Sequence, residues 1–288
     1  MPDFNPLDYS IAVSELRYFS GDSAWTGHIP FALVLVQLAR PRTIVELGTH
    51  WGDSYCAFCQ AVAELKLPTR CTAIDTWQGD AHTRPYNEHV YQRLKQFHDP
   101  AYSSFSTLMR TTFDQACPQF ADNSIDLLHI DGLHTYEAVK HDFETWKPKL
   151  SERGIVLMHD TAATHGDFGV WRLWQELESA YPSFQFMHES GLGILAIGKD
   201  APPDVLKFLE IARREETAVR QYFAAVGGRW TVLTALMRVS MTLQQARTAV
   251  NDWRGRSGRP KQEITEAPYQ LAGGTLADVR ELLDALKR

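Results

Sequence analysis

Residues 43–54, T-I-V-E-L-G-T-H-W-G-D-S, decide how the rest of the chain is read. TIVELG (43–48) is a short apolar run closed by a glycine, which suits a buried strand. DSYCAFCQAVAELK (53–66) follows with helical periodicity. Between them lies a loop with Gly48 and Gly52, and a glycine loop between a strand and a helix lets backbone N–H groups come close to a ligand. The stretch therefore reads as the first half of a βαβ unit with a binding loop at its tip.

Working outward, the same alternation recurs. FALVLVQLA, within an N-terminal helix over about 30–40, precedes the first strand and stops before Pro41. CTAIDTW (71–77) is a second strand, and HTRPYNEHVYQRLKQFHD (82–99) is polar and mostly helical. FSTLMRTT (105–112), SIDLLHIDG (124–132) and RGIVLMHD (153–160) are further strands. YEAVKHDFETWKPKL (136–150) and GVWRLWQELESAYP (169–182) are helices, and FQFMHESGLGILAIGK (184–199) reads as a hairpin broken at Gly191 and Gly193. Strands alternating with helices mean a mainly parallel sheet, and the closing hairpin adds an antiparallel edge. In such sheets the ligand sits beyond the carboxyl ends of the strands.

Composition sets the outer bounds. The chain has 288 residues, 44% of them hydrophobic, and a formal net charge of −6. That composition excludes collagen, wholesale disorder and a disulfide miniprotein, and the negative charge argues against a nucleic-acid binder. The charge is split: residues 1–200 carry 15 Lys+Arg against 25 Asp+Glu, whereas residues 201–288 carry 14 against 10. The start, MPDFNPLDYS, lacks the basic and apolar regions of a signal peptide, and the apolar run at 30–40 is too short for a membrane span, so a cytoplasmic location without a membrane span is expected. Cys56-x-x-Cys59 has no second pair at zinc-like spacing, so two small buried side chains on a helix are the preferred reading.

The strand ends carry the chemistry. Glu46 would repel a pyrophosphate but suits a cationic ligand, an amino group or a sulfonium, which favours S-adenosylmethionine over NAD or ATP. Asp75 ends the second strand, where an acid can accept both hydroxyls of a ribose; the alternative is a turn aspartate. Trp77 is placed either on an adenine or in the core. Asp131 ends the fourth strand, and His159 and Asp160 end the fifth. Together these three could hold a divalent ion; oxygen ligands suit Mg²⁺ or Mn²⁺, and the imidazole tilts the set toward Mn²⁺ or a softer metal. The alternative is capping aspartates and hydrogen-bonded histidines, which two neighbouring strands with the same chemistry make less attractive. His134, three residues past Asp131, is the best candidate for a general base. His129 falls inside its strand and reads as a satisfied core histidine; His141 reads as surface, His165 as a loop residue near substrate, and His50, His82, His89, His98 and His188 have no nameable partner. The polar stretch with Trp77, Gly79, Asp80, His82, Arg84 and Tyr86 reads as an acceptor pocket or lid.

V-E-L-G-T-H-x-G-D-S-Y, A-I-D-T-W-x-G-D, D-L-L-H-I-D-G-x-H-T-Y-E-x-V-x-x-D and G-I-V-L-M-H-D-T, taken in that order over about residues 25–199, resemble the class I S-adenosylmethionine-dependent methyltransferases. The nearest branch by motif is that of the cephalosporin hydroxylase-like and macrolide sugar O-methyltransferases, which often accompany glycosyltransferases. The resemblance implies a Rossmann-like, doubly wound, seven-stranded, mainly parallel sheet with one antiparallel strand, in a methyltransferase domain over 1–199. It carries Glu46, Gly48, Thr49 and Gly52 over as cofactor-loop residues, Asp75 as ribose acceptor, Trp77, Asp114 and Asp131 as further cofactor contacts, and Asp131, His159 and Asp160 as metal ligands. His134 stands where catechol-type relatives have a lysine base. Two departures matter: His50 replaces the middle glycine of the loop, and the ligand pair is His-Asp rather than Asp-Asp or Asp-Asn, so a metal-free mechanism with His134 as base stays open. The implied activity is O-methylation of a sugar or a polysaccharide or natural-product acceptor. The alternatives are a cofactor-binding scaffold of a glycosyltransferase without turnover, and a hydroxylase-like metal enzyme on the same fold.

Residues 200–288 read as a helical extension with a basic linker at about 251–263. Val205, Phe208, Ala212, Val219, Tyr222 and Val226 form a helical stripe, and helices are also expected over 231–250 and 275–288. The stripe could pair on its own core, make a homo-oligomer, or dock a partner such as a glycosyltransferase.

Overall fold

A computed structural model of the protein describes residues 3–236, apart from 22, 84 and 234. The helix expected over 231–250 beyond its first turns, the basic linker and the closing helix lie outside the described residues, as does any partner contact they make. Among the described residues, no helix is long and apolar enough to cross a membrane.

Seven strands form one sheet: β1 (Thr43–Leu47), β2 (Arg70–Asp75), β3 (Ser106–Arg110), β4 (Ile125–Ile130), β5 (Leu150–His159), β6 (Ser183–Phe186) and β7 (Leu192–Ala196). Their order is β3-β2-β1-β4-β5-β7-β6. Strands β1 to β5 run parallel to one another, and β7 runs antiparallel to both β5 and β6, as the hairpin reading expected. The helices are α1 (Ile29–Ala39), α2 (Asp53–Glu64), α3 (Glu88–Tyr102), α4 (Phe113–Ala116), α5 (Tyr136–Trp146), α6 (Val170–Leu177) and α7 (Pro203–Arg214). Residues 216–233 are helical as well and are called α8.

The strands are buried on both faces, so successive side chains feed two cores. Ile44, Leu127, Ile155 and Leu157 join the core under α1, α2, α7 and α8. Their neighbours Val45, Leu128, Val156 and Met158 join the core under α5 and α6. The same parity decides where Glu46 goes, because it shares the Ile44 face. All four cysteines are buried and free, as the bland reading of Cys56 and Cys59 expected.

One boundary differs from expectation. The helix expected from residue 82 begins at Glu88, because Pro85 disfavours helix in the residue before it and Asn87 supplies the cap, its side chain accepting from His89 N–H. The described residues of 76–87 are thereby left outside helix and strand. The helix from Tyr136 ends at Trp146, next to Pro148, where the sequence expected it to stop.

The first part of the extension packs on the sheet. Val205, Phe208, Ala212, Val219 and Phe223 are buried, with Tyr222 and Val226 packed beside them. Phe31 of α1 lies 4.5 Å from Phe186, 5.5 Å from Phe208 and 5.4 Å from Phe223 by ring centroids. At its far end α8 meets the site side of the molecule, where Thr231 Oγ1 donates to Glu189 Oε1 at 2.8 Å.

Candidate active site

The chain order reverses between β1 and β4, and the crevice there is where an open α/β sheet binds its ligand. A cavity of about 550 Å³ opens at this point. Its floor is the β1–α2 loop. Gly48 and Gly52 both have φ of +86°, and a Cβ at Gly48 would collide with the carbonyl oxygen of Asp131. Only glycine lets the loop lie against the tip of β4. His50, the departure from the usual glycine, has φ of +49°, a conformation that histidine tolerates better than most side chains.

Asp75 staples this loop. Its Oδ2 accepts the N–H groups of Thr49 and His50, each at 2.9 Å, and its Oδ1 accepts that of Trp77 at 2.7 Å. Asp75 also lines the cavity, beside Gly48 and Thr49. Three of the other expected cofactor residues lie elsewhere. Glu46 is buried beneath the loop, its Oε2 accepting from His129 Nδ1 at 2.8 Å, while His129 Nε2 accepts from Trp25 Nε1 at 3.2 Å. That makes His129 the satisfied core histidine the sequence suggested, in its Nδ1–H tautomer. Trp77 has φ of +51°, which turns its ring under the loop, where Nε1 donates to the His50 carbonyl at 3.0 Å. Asp114, in the first turn of α4, points outward and pairs with His141 Nε2 at 2.8 Å.

Beside the loop, the tips of β4 and β5 bring two acids and two imidazoles together. His134 Nε2 is 3.0 Å from Asp160 Oδ2 and 3.6 Å from Asp131 Oδ1. His159 Nδ1 is 3.3 Å from Asp131 Oδ1 and 3.2 Å from Asp160 Oδ2. Ligand atoms of Asp131, His134 and Asp160 lie within 4.8 Å of one another, as a metal site requires. His134, read as the base, thus stands with the two acids, and His159, the third expected ligand, lies beside them with its Nε2 donating to the Glu189 carbonyl at 3.1 Å.

Burial opposes charge on all four groups, and their mutual attraction outweighs it. Burial alone would raise Asp131, but the His159 charge and hydrogen bonds from His134 and His159 hold it well below the usual carboxylate range. Asp160 is held down at about 2 by the same partners against burial. His134, which burial would lower, is pushed up to about 9 by hydrogen bonds to Asp131 and Asp160. His159 is raised in the same way.

Among the described residues, three polar atoms at or beneath the glycine loop, Glu46 Oε1, Thr49 Oγ1 and Asp53 Oδ2, are buried with no hydrogen-bond partner. Burial raises the Asp53 carboxyl, which the Ser20 contacts lower again. Such orphan groups fit a polar, cationic end of a ligand, in keeping with the sulfonium cofactor that the acid-bearing loop suggested. Around the rest of the cavity stand Trp25, His82, His165, Phe168 and Ser190. Of the lid segment read from the sequence, Gly79, Asp80, His82 and Tyr86 line the cavity. Trp25 and Ser190 had no sequence signal beyond aromatic or turn character. Ser190 sits in a turn where Glu189, Ser190 and Gly191 all have positive φ, a strained arrangement concentrated at functional sites.

The strand order is that of a Rossmann-like methyltransferase fold, with the glycine loop and its acid staple at the crevice. Residues 45–161 match the family model described as a methyltransferase domain. The chain is 41% identical over 261 residues to an uncharacterized protein, y4gI, of Sinorhizobium fredii (strain NBRC 101917 / NGR234), which takes in 90% of this chain. It spans only 28% of the length of that relative. Among solved structures, a putative caffeoyl-CoA O-methyltransferase from Staphylococcus aureus is 17% identical, with a TM-score of 0.45 over 58% of this chain and 80% of that one. The O-methyltransferase TomG from Streptomyces achromogenes, solved with S-adenosylmethionine, is 15% identical, with a TM-score of 0.46 over 67% of this chain and 96% of that one. The family match thus marks a methyltransferase domain within this chain, over residues 45–161.

Proposed function

We propose that the protein transfers the methyl group of S-adenosylmethionine to a hydroxyl of a sugar or a polysaccharide or natural-product acceptor. The observation that carries this is the convergence of Asp131, His134 and Asp160 on the cavity wall beside the glycine loop. The cofactor supplies an activated methyl group, so the protein's task is binding, alignment and removal of one proton.

Gly48, Thr49 and Asp53 bind the amino-acid end of the cofactor, with Asp75 beside its ribose. Trp25 and Phe168 offer aromatic faces, and Asp80, His82 and Ser190 offer polar groups, a mixture that suits a polyhydroxylated acceptor. His134 Nε2 takes the acceptor proton. With both carboxylates facing it, His134 is protonated near neutral pH, so it serves as base only when their charge is offset or the pH approaches 9. Were Asp131, Asp160 and His134 Nε2 to hold Mg²⁺ or Mn²⁺ instead, Nε2 would be a ligand rather than the base, and the ion would polarise the acceptor hydroxyl.

Calorimetric titration with S-adenosylhomocysteine tests the cofactor reading, and a flat titration overturns it. A screen of sugars and glycosides for S-adenosylhomocysteine release tests the acceptor class. His134→Gln is expected to bind S-adenosylhomocysteine like the wild type and to lose at least a hundredfold in turnover, the usual upper contribution of a general base being about 10⁴.

A further inference from the structure

Two loops distant in sequence meet over His134. His82 belongs to the loop between β2 and α3, and Asp167 and Phe168 to the loop between β5 and α6. His82 Nε2 is 2.9 Å from Asp167 Oδ1, and His82 Nδ1 is 3.0 Å from His134 Nδ1. With His134 Nε2 on Asp160, these contacts form a continuous chain from the exposed Asp167 to the buried centre.

The rings themselves fix the geometry. His82 and His134 are tilted by only 12°, with centroids 5.2 Å apart, as expected for imidazoles joined edge to edge by an N–H···N bond. Phe168 lies nearly parallel to both, 4.7 Å from His82 and 4.8 Å from His134, and covers the seam. The backbone beneath is pinned as well, since the His134 carbonyl accepts from Gly169 N–H at 2.7 Å.

Proton bookkeeping then assigns a direction. The Asp167 carboxylate only accepts, so His82 carries its proton at Nε2. Its Nδ1 is then the acceptor toward His134. Two facing nitrogens share one proton, which is therefore on His134 Nδ1. The other nitrogen of His134, Nε2, is the one turned toward Asp131 and Asp160.

We infer that His82, anchored by Asp167, is a positioning residue for His134: it accepts the Nδ1 proton and so holds the ring with Nε2 turned to the centre between Asp131 and Asp160. The inference rests on the methyltransferase reading for its purpose, because His134 needs Nε2 at that point either as a ligand or, once deprotonated, as the base. An outer partner that fixes the tautomer and orientation of a working histidine is a general device of such sites.

The test follows the ring proton itself by ¹H–¹⁵N NMR of the full chain labelled at histidine. A hydrogen-bonded, slowly exchanging Nδ1–H of His134 is expected in the wild type, assigned by its loss in His134→Gln. It should vanish in His82→Phe, which keeps a ring against Phe168 but has no acceptor nitrogen, and should exchange faster in Asp167→Ala, an exposed position where folding is not at stake. Its absence from the wild type, its persistence in His82→Phe, or a bridging proton that resides on His82 Nδ1 overturns the inference. Mn²⁺ binding, followed by the free-ion EPR signal, is expected to weaken by roughly 10–100-fold in His82→Phe, and an unchanged affinity overturns the positioning role. The ring-proton measurement uses neither cofactor nor acceptor. Failure to bind S-adenosylhomocysteine would therefore sink the methyltransferase reading alone, and normal binding with an unaltered ring proton would sink the positioning role alone.

Discussion

Asp142 lies on α5 behind the tip of β4, where a Cβ at Gly132 would come within 3.1 Å of its Oδ2. Burial pushes its carboxyl up to about 7, with His141 working against the shift and Asp114 with it. A carboxyl raised on folding contributes stability that is complete below its unfolded value near 4 and is lost as pH rises through the folded value near 7. Asp142→Asn is therefore expected to stabilise the protein at pH 8, by on the order of 3–4 kcal/mol at most, and to make little difference at pH 4–5. Urea unfolding at the two pH values measures this, and an equal effect at both would refute the assignment. At this scale the sequence was informative where a residue ends a strand, as at Asp131, Asp160 and Asp75, because strand ends converge on the crevice whatever the surrounding detail. It was uninformative for Glu46, Trp77 and Asp114, whose directions depend on sheet parity, on one left-handed turn and on a short helix. It was silent on what His82 does, because that depends on a loop meeting 52 residues further along.

The β1–α2 loop works as a unit with the tip of β4. Gly48 N–H donates to the Ile74 carbonyl at 2.9 Å and Asp131 N–H to the Leu47 carbonyl at 2.8 Å, so both sides of the close approach are tied into the sheet. Neither can retreat from a new methyl group, and the positive φ of Gly48 adds strain. Gly48→Ala is expected to lose S-adenosylhomocysteine binding in calorimetry and to cost roughly 2 kcal/mol or more in urea unfolding. Native-like binding in that variant would mean that the loop does not hold the cofactor. The elements were legible because strand-like and helical runs alternate throughout, and Gly191 marks the reversal into β7, with Gly193 inside that strand. Boundaries failed where proline and capping chemistry compete with periodicity. The apolar spacing after residue 82 reads as helix, yet Pro85 and Asn87 release residues 76–87 into the loop that lines the cavity.

For the molecule as a whole, the charge split near residue 200 suggests two separable parts, whereas packing ties the described part of the extension to the sheet. The ring of Phe223 in α8 lies 5.4 Å from Phe31 of α1 and 5.3 Å from Phe186 of β6. The likeness to y4gI points the same way. It extends over 261 residues, more than precede the undescribed stretch, so part of the basic tail recurs with the domain inside a much longer chain. If α7 and α8 complete the core, they cannot unfold independently of the sheet. Unfolding in urea is then expected to show one transition by tryptophan fluorescence and far-ultraviolet circular dichroism, since Trp230 of α8 and Trp174 of α6 are buried at opposite faces. Phe223→Ala should move that whole transition to lower urea by roughly 3–5 kcal/mol, the usual cost of emptying a buried phenylalanine site. A separate early transition, shifted by Phe223→Ala while the main one stays in place, would instead make the helices an independent appendage and return the domain boundary to residue 199.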